Sequence, residues 1–149
     1  MKHIIIYIVT LLATITVNAQ SSTQSKQEQQ SFKGKIINSE YDIYINMDLE
    51  NSTIIVPQQE IFGAIPGYLG DNKDARKWLF TDAKITSDNK ATISIINDYG
   101  SEDLTASLQI QNDTTYILNQ ESGSTIKVAR NRKWVKLPQK LIFIKKDMK

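Results

Sequence analysis

The amino-acid sequence predicts an all-β protein, an antiparallel meander of about eight to nine strands that forms a small barrel or a sandwich. Apolar residues recur at every second position from Phe32 onward, which is the period of strands with one buried face. These short runs are separated by Asn, Asp, Gly and Ser at intervals of roughly ten residues, a rhythm typical of barrels and sandwiches. Because the 149-residue chain has no cysteine, burial of apolar surface must stabilise the domain without disulfides.

The N-terminal residues are predicted to lie outside that domain. A positively charged start, an apolar run at residues 4–17 and the small residue Ala19 are typical of a secretory signal peptide, which we place at residues 1–19. As a helix the run would span about 21 Å, less than the roughly 30 Å of a bilayer core. The Asn-Ala-Gln ending resembles signal peptides of the Bacteroidota. Residues 20–31 are rich in Gln and Ser and are predicted to be a disordered tether. We therefore expect an exported protein, periplasmic or secreted, with no transmembrane anchor after cleavage and a single domain at residues 32–149.

Nine segments carry the strand signal. They are residues 34–37, 41–49, 53–56, 78–86 with a bend near Asp82, 90–97, 103–110, 114–119, 124–129 and 141–145. Residues 90–97 alternate most cleanly, and residues 103–110 repeat the pattern after a loop that contains Gly100. The spacing predicts a hairpin with a loop longer than two residues.

Residues 57–77 interrupt the alternation and contain Gly and Pro among apolar side chains. A connection of this length in a compact domain is usually functional, partly helical or mobile. Four large side chains of this stretch and its end, Phe62, Ile65, Tyr68 and Trp78, are candidates to bind a ligand at the mouth of the barrel. Alternatively, they form a plug that closes the barrel end and belongs to the core. The sequence leaves both hypotheses open.

Composition excludes many mechanisms. The single histidine, His3, lies in the predicted signal peptide, so the mature chain has neither imidazole nor thiol. Ser-His-Asp and Cys-His catalysis, the usual zinc sites, His- or Cys-ligated haem and iron–sulfur clusters are therefore excluded. We predict no catalytic residue, no metal and no cofactor.

One predicted turn concentrates acidic groups. Asp98, Tyr99, Glu102 and Asp103 are a candidate site for a hard cation or another ligand. Asp, Gly and Ser are also what an ordinary exposed turn requires, and we favour that interpretation. A carboxylate pair for glycan hydrolysis would combine Glu102 with Asp98 or Asp103, but neighbours on one turn rarely flank a substrate bond.

Charge is divided along the chain. Residues 20–122 carry a formal charge of −7 and residues 123–149 a charge of +8, whereas the mature total is only +1 and predicts no nucleic-acid partner. The basic segment forms a candidate anion patch that consists of Arg130, Arg132, Lys133, Trp134 and Lys136. A solvated strand edge rich in lysine is the interpretation that we favour, because such charges prevent edge-to-edge pairing.

In outline, the meander with a long early connection resembles lipocalin-type barrels, but none of the short lipocalin motifs is present, so no residue role follows. The first functional hypothesis is a non-catalytic binding module for a small apolar or glycan ligand. The second is a hydrolase inhibitor or surface protein that binds a partner protein through its charged segments. A carboxylate-dependent glycan hydrolase is third.

Overall fold

The computed structural model describes residues 31–146. Along this part of the chain lie twelve strands and one 3₁₀ helix: β1 (Lys33–Asn38), β2 (Ile43–Asp48), β3 (Ile54–Ile55), the 3₁₀ helix (Glu60–Phe62), β4 (Ala64–Ile65), β5 (Gly67–Asp71), β6 (Lys77–Ser87), β7 (Lys90–Asn97), β8 (Asp103–Ile110), β9 (Thr115–Gly123), β10 (Lys127–Arg130), β11 (Lys133–Lys136) and β12 (Lys140–Lys145). Eight of the strands form a closed antiparallel barrel in the order β1-β2-β5-β6-β7-β8-β9-β12, and β12 pairs with β1. The predicted all-β antiparallel meander is confirmed, and it is a barrel.

The barrel interior is the main core. Alternate residues of each strand point inward, and Ile45, Phe80, Ile93, Ala106 and Leu118 are fully buried there. This alternation is the period-two pattern of the sequence, with one face of each strand buried against the others. The main core therefore fills the barrel in the way expected for eight strands.

The long strand β6 bends where the sequence predicted it. Its pairing with β7 shifts register between Phe80 and Asp82, which is a β-bulge at Thr81. A bulge increases the local twist and lets a long strand follow the curved wall of a barrel. The first half of β6 thereby brings Trp78 to the same end of the barrel as the β7–β8 turn.

The segment between β2 and β5 lies on the outside of the barrel. Residues 53–65, which we call the outer flap, contain β3, the 3₁₀ helix and β4. Val56 packs with the outward-facing Tyr68 and Leu79 into a second, smaller core. The outer flap is neither a lid over the barrel mouth nor a plug in it, so the two hypotheses are corrected for residues 57–65. Ile54, Val56 and Ile65 cover the outer wall, whereas Leu69, farther along the stretch, is buried in the main core.

Residues 57–77 also contain β5, a barrel strand that the sequence pattern does not predict. Gly67 and Gly70 weaken the strand pattern, but the structure shows why small residues are needed there. A Cβ at Gly67 would lie 2.6 Å from the carbonyl oxygen of Asn46 on β2. A Cβ at Gly70 would lie 2.6 Å from the hydroxyl oxygen of Tyr44, whose ring crosses this position. Glycine at these two positions therefore lets β5 lie close to the β2 backbone and to the Tyr44 ring.

The two ends of the barrel differ. At the lower end, the Leu49 amide donates to the Phe32 carbonyl at 3.0 Å, and the Tyr116 hydroxyl donates to the Ser31 carbonyl at 2.9 Å. At the upper end, residues 124–139 form what we call the capping hairpin, which includes β10 and β11. Three of its apolar side chains enter the main core and are nearly or fully buried: Ile126, Val128 and Leu137. The capping hairpin thus closes the upper end.

The predicted signal peptide and the tether up to residue 30 lie outside the described residues. Ser31, the last residue of the predicted tether, is the first that the structure describes. Between residues 31 and 146, no helix has both the length and the apolar character needed to cross a membrane.

Candidate functional site

A cleft of about 440 Å³ opens at the upper end of the barrel, between the capping hairpin and the β5–β6 and β7–β8 turns. Three aromatic side chains from different elements line it: Trp78 from β6, Tyr99 from the β7–β8 turn and Trp134 from β11. Four carboxylates and three cationic side chains line it as well: Asp71, Asp74, Asp98, Glu102, Arg76, Lys77 and Lys127. The volume and the concavity are those of a small-molecule site, whereas the lining is more charged than is usual for one.

The cleft brings together members of all three groups that the sequence singled out. Trp78 belongs to the candidate ligand-binding group, Tyr99 and Glu102 to the acidic turn, and Trp134 to the basic segment. The antiparallel topology explains this convergence, because the end of β5, the start of β6 and the β7–β8 turn all lie at the upper end. The capping hairpin adds Trp134 to the same cleft, against Arg76.

The three aromatic rings differ in exposure. Trp78 is 6% exposed, and its indole N–H donates to the Lys127 carbonyl at 3.1 Å. Tyr99 and Trp134 are 74% and 57% exposed. The guanidinium of Arg76 lies over the Trp134 ring, 4.4 Å from its centroid, which is a cation–π contact. Trp78 therefore forms part of the cleft floor, whereas Tyr99 and Trp134 form its open edges.

Arg130 fixes the capping hairpin to the rim of the barrel. Its guanidinium donates to both carboxylate oxygens of Asp71, at 2.6 and 3.0 Å, and to the Tyr41 carbonyl at 2.5 Å. The Asp71 side chain is only 4% exposed. These hydrogen bonds raise the pKa of Arg130 above its ordinary value, with Asp71 as the main cause. A bidentate pair of this kind sets orientation as well as distance.

Every carboxylate of the cleft has a partner. The Lys127 ammonium lies 2.5 Å from Glu102, and Arg76 donates twice to Asp74, each time at 2.8 Å. The hydrogen bonds from Arg76 hold the pKa of Asp74 below its ordinary value. Asp98 accepts from the Lys77 amide and from the Gln59 side chain, each at 3.0 Å, which ties the outer flap to the rim. The site is therefore a charge-compensated network.

The β7–β8 turn is ordered by Asn97. Its side-chain oxygen accepts from the amides of Ser101 and Glu102 at 2.9 and 3.2 Å, and its carbonyl accepts from the Gly100 amide at 2.9 Å. These bonds are those of an ordinary Asx-type turn. Asp103 begins β8, is exposed and does not line the cleft. The structure therefore separates Asp103 from the other three residues of the acidic turn.

The candidate ligand-binding group does not lie together either. Tyr68 is 4% exposed in the second core, where its ring meets that of Tyr44 edge-to-face at 5.9 Å. Burial, with a smaller contribution from Tyr68, raises the pKa of Tyr44 to about 12. Ile65 packs against the same core, and Phe62 is exposed on the outer flap. Trp78 is the one member of this group that lines the cleft.

The basic segment is also divided. Arg130 is withdrawn into its pair with Asp71, and Asn131 and Arg132 form the two-residue turn of the capping hairpin, with φ of 52° and 62°. Within residues 31–146, neither Arg132 nor Lys133 nor Lys136 pairs with a carboxylate. Lys133 and Lys136 are exposed on β11. The predicted anion patch is therefore corrected, because Arg130 is not available to an external anion.

The rim residues Asp71, Asp74 and Arg76 are not among the candidate residues predicted from the sequence, although residues 71–77 carry five charged side chains next to Trp78. Such a charged run beside an aromatic residue was the available signal. In the described part of the chain, no group of three or more His, Cys, Asp or Glu side chains has an arrangement that would hold a metal ion.

Comparison of the chain with protein-family models, with curated proteins and with solved structures gave no match. The function is therefore inferred from the geometry and chemistry of the cleft.

Proposed function

We propose that this chain is a non-catalytic binding protein whose site is the cleft beneath the capping hairpin. The observation that carries the proposal is the convergence of Trp78, Tyr99 and Trp134 on one 440 Å³ cleft among charged hydrogen-bonding groups. Aromatic walls with a few polar groups that fix orientation are the usual composition of small-ligand sites. Export to the periplasm or the medium is part of this proposal and rests on the N-terminal sequence.

The cleft is held in shape before any ligand enters. The capping hairpin is attached through Arg130 to Asp71, through the Lys127 carbonyl to Trp78, and through the Lys127 ammonium to Glu102. A site that needs little ordering on binding loses less conformational entropy. Preorganisation of this kind supports binding as the function.

Hydrolysis of a glycan is less well supported. Glu102 is paired with Lys127, and Asp98 holds the Lys77 amide and Gln59. Both carboxylates therefore have structural roles on one turn, whereas a hydrolase needs two that flank a substrate bond.

The hypothesis of a charge-steered protein partner also loses support. Part of the charge division along the sequence is neutralised inside the fold, because Arg130 and Lys127 of the basic segment pair with Asp71 and Glu102 of the acidic one. Fewer free charges remain to steer association.

Nuclear magnetic resonance tests the binding proposal directly. The chain has two tryptophans and both line the cleft, so every indole N–H signal reports on the site. The ¹⁵N-labelled protein is titrated with separate mixtures of neutral oligosaccharides, acidic oligosaccharides, apolar probes and nucleotides. At least one mixture should move both indole signals and leave the Gly63 amide on the outer flap in place. The proposal fails if no mixture moves an indole signal, or if the changes map to the outer flap.

A further inference from the structure

We infer that the cleft binds a neutral glycan through the face of a pyranose ring. This inference rests on the proposed binding function and narrows it to one ligand class. It depends on the charge balance of the cleft, on the exposed aromatic surface at its edges and on the kind of polar group between them.

The charge balance argues against a charged ligand. Three of the four carboxylates of the lining are in ion pairs, Asp74 with Arg76, Glu102 with Lys127 and Asp71 with Arg130, and the buried Lys77 ammonium supplies the fourth positive charge. An anion would meet unfavourable carboxylates, and a cation would find one face of Trp134 already covered by Arg76. Neither an anionic nor a cationic ligand would therefore gain net electrostatic attraction in the cleft.

The same groups argue against a purely apolar ligand. Asp71 and Lys77 are already buried, but covering the other five charged side chains with hydrocarbon would remove water from them without replacing its hydrogen bonds, which is unfavourable. A polyhydroxylated ligand supplies donors and acceptors around its edge and so replaces that water. Carboxylate oxygens accept from hydroxyl groups, and the planar guanidinium of Arg76 and the ammonium groups donate to them.

The exposed aromatic edges supply the second half of glycan recognition. Tyr99 and Trp134 present 74% and 57% of their surface to solvent, and both line the cleft, one from the β7–β8 turn and one from β11. The negative face of an aromatic ring attracts the polarised C–H groups on one side of a pyranose. Because Arg76 covers one face of Trp134 and is itself held by Asp74, the indole is fixed in orientation for such stacking.

An array of neutral and acidic glycans tests the class of ligand. Binding should be confined to neutral pyranose glycans, and calorimetry in solution should give a dissociation constant that changes less than about twofold up to about 0.15 M salt, since no net charge is recognised. Trp134→Ala and Tyr99→Ala should each weaken that binding by about tenfold or more, as truncation of an aromatic residue that carries much of the binding energy does. A trisaccharide and the polysaccharide built from the same sugar units are tested side by side. Binding to the trisaccharide alone indicates recognition of chain ends, and binding to both indicates recognition of internal units.

Phe62→Ala is the matched control, because Phe62 is an exposed aromatic residue on the outer flap, away from the cleft. It should leave the dissociation constant within about twofold. The inference is overturned if only acidic glycans bind, or if neutral glycans bind equally well to Trp134→Ala, Tyr99→Ala and the control. If no glycan binds but an apolar probe moves the indole signals, the ligand class is wrong and the binding function stands. If no class of compound moves them, the binding function itself is wrong.

Discussion

Arg130→Ala should detach the capping hairpin from the barrel rim and strongly destabilise the protein. Breaking a buried ion pair by removing one partner costs about 3–5 kcal/mol. The Arg130 side chain is 22% exposed and Asp71 only 4%, so solvent partly compensates the loss. The variant also loses the hydrogen bond to the Tyr41 carbonyl. We therefore expect a loss of about 2–4 kcal/mol in the free energy of unfolding. At about 4 °C per kcal/mol for a domain of this size, the midpoint temperature should fall by about 8–16 °C.

Urea denaturation followed by tryptophan emission measures this change, because Trp78 is buried beneath the hairpin and both tryptophans line the cleft. Arg132→Ala is the matched control: it removes the same charge from the same hairpin, two residues away, but breaks no ion pair within the described residues. It should change the free energy of unfolding by less than about 0.5 kcal/mol. Equal losses for Arg130→Ala and Arg132→Ala would refute the anchoring role of the Asp71 pair.

Three further predictions concern single positions. Arg132→Gly should raise the free energy of unfolding by about 0.5–1 kcal/mol, because φ is 62° at this hairpin turn and glycine adopts such values without strain. Urea denaturation measures the change, and a loss of stability would contradict this prediction. Gly67→Ala should lower the free energy of unfolding by about 1–3 kcal/mol, because its Cβ would lie 2.6 Å from the Asn46 carbonyl oxygen. An unchanged urea midpoint would contradict this and would show that β2 and β5 move apart without cost. The hydrogen bond from the Thr53 hydroxyl is the main cause, with Lys33 and Asn51, that lowers the pKa of Asp48 to about 2. The stability that this carboxylate contributes is therefore complete above its ordinary pKa and is lost as the pH falls from about 4 to about 2. Urea midpoints of the wild type and of Asp48→Asn should therefore converge over this range, and a constant difference would exclude the carboxylate as the cause.

The barrel was predictable where each strand has one buried face. The predicted bounds of 90–97 and 103–110 agree with β7 and β8 because inward and outward residues alternate without interruption there. The strand β5 was missed because Gly67 and Gly70, which make room for neighbours on β2, also remove the side chains that carry the pattern. Alternation reports which face of a strand is buried and not which other strand it meets.

The cleft was predictable only in fragments. Trp78, Tyr99 and Trp134 each stood out locally, but they come from elements far apart in the sequence and meet because of the antiparallel topology and the position of the capping hairpin. The charge division had a local interpretation as surface patches, whereas Arg130 and Asp71 form a bond across the upper end. Long-range pairs of this kind leave no spacing signal in one sequence.

The pairing of β1 with β12 determines at which end of the barrel the described chain begins and ends. Ser31 lies at the lower end, and β12 runs toward that same end, since it is antiparallel to β1 and its last residues pair with the middle of β1. Both ends of the described chain therefore leave the barrel at the pole opposite the cleft. A surface, a resin or a fusion partner that holds the protein next to Ser31 or Lys146 would leave the cleft facing outward, with the full length of the barrel between the point of attachment and the ligand.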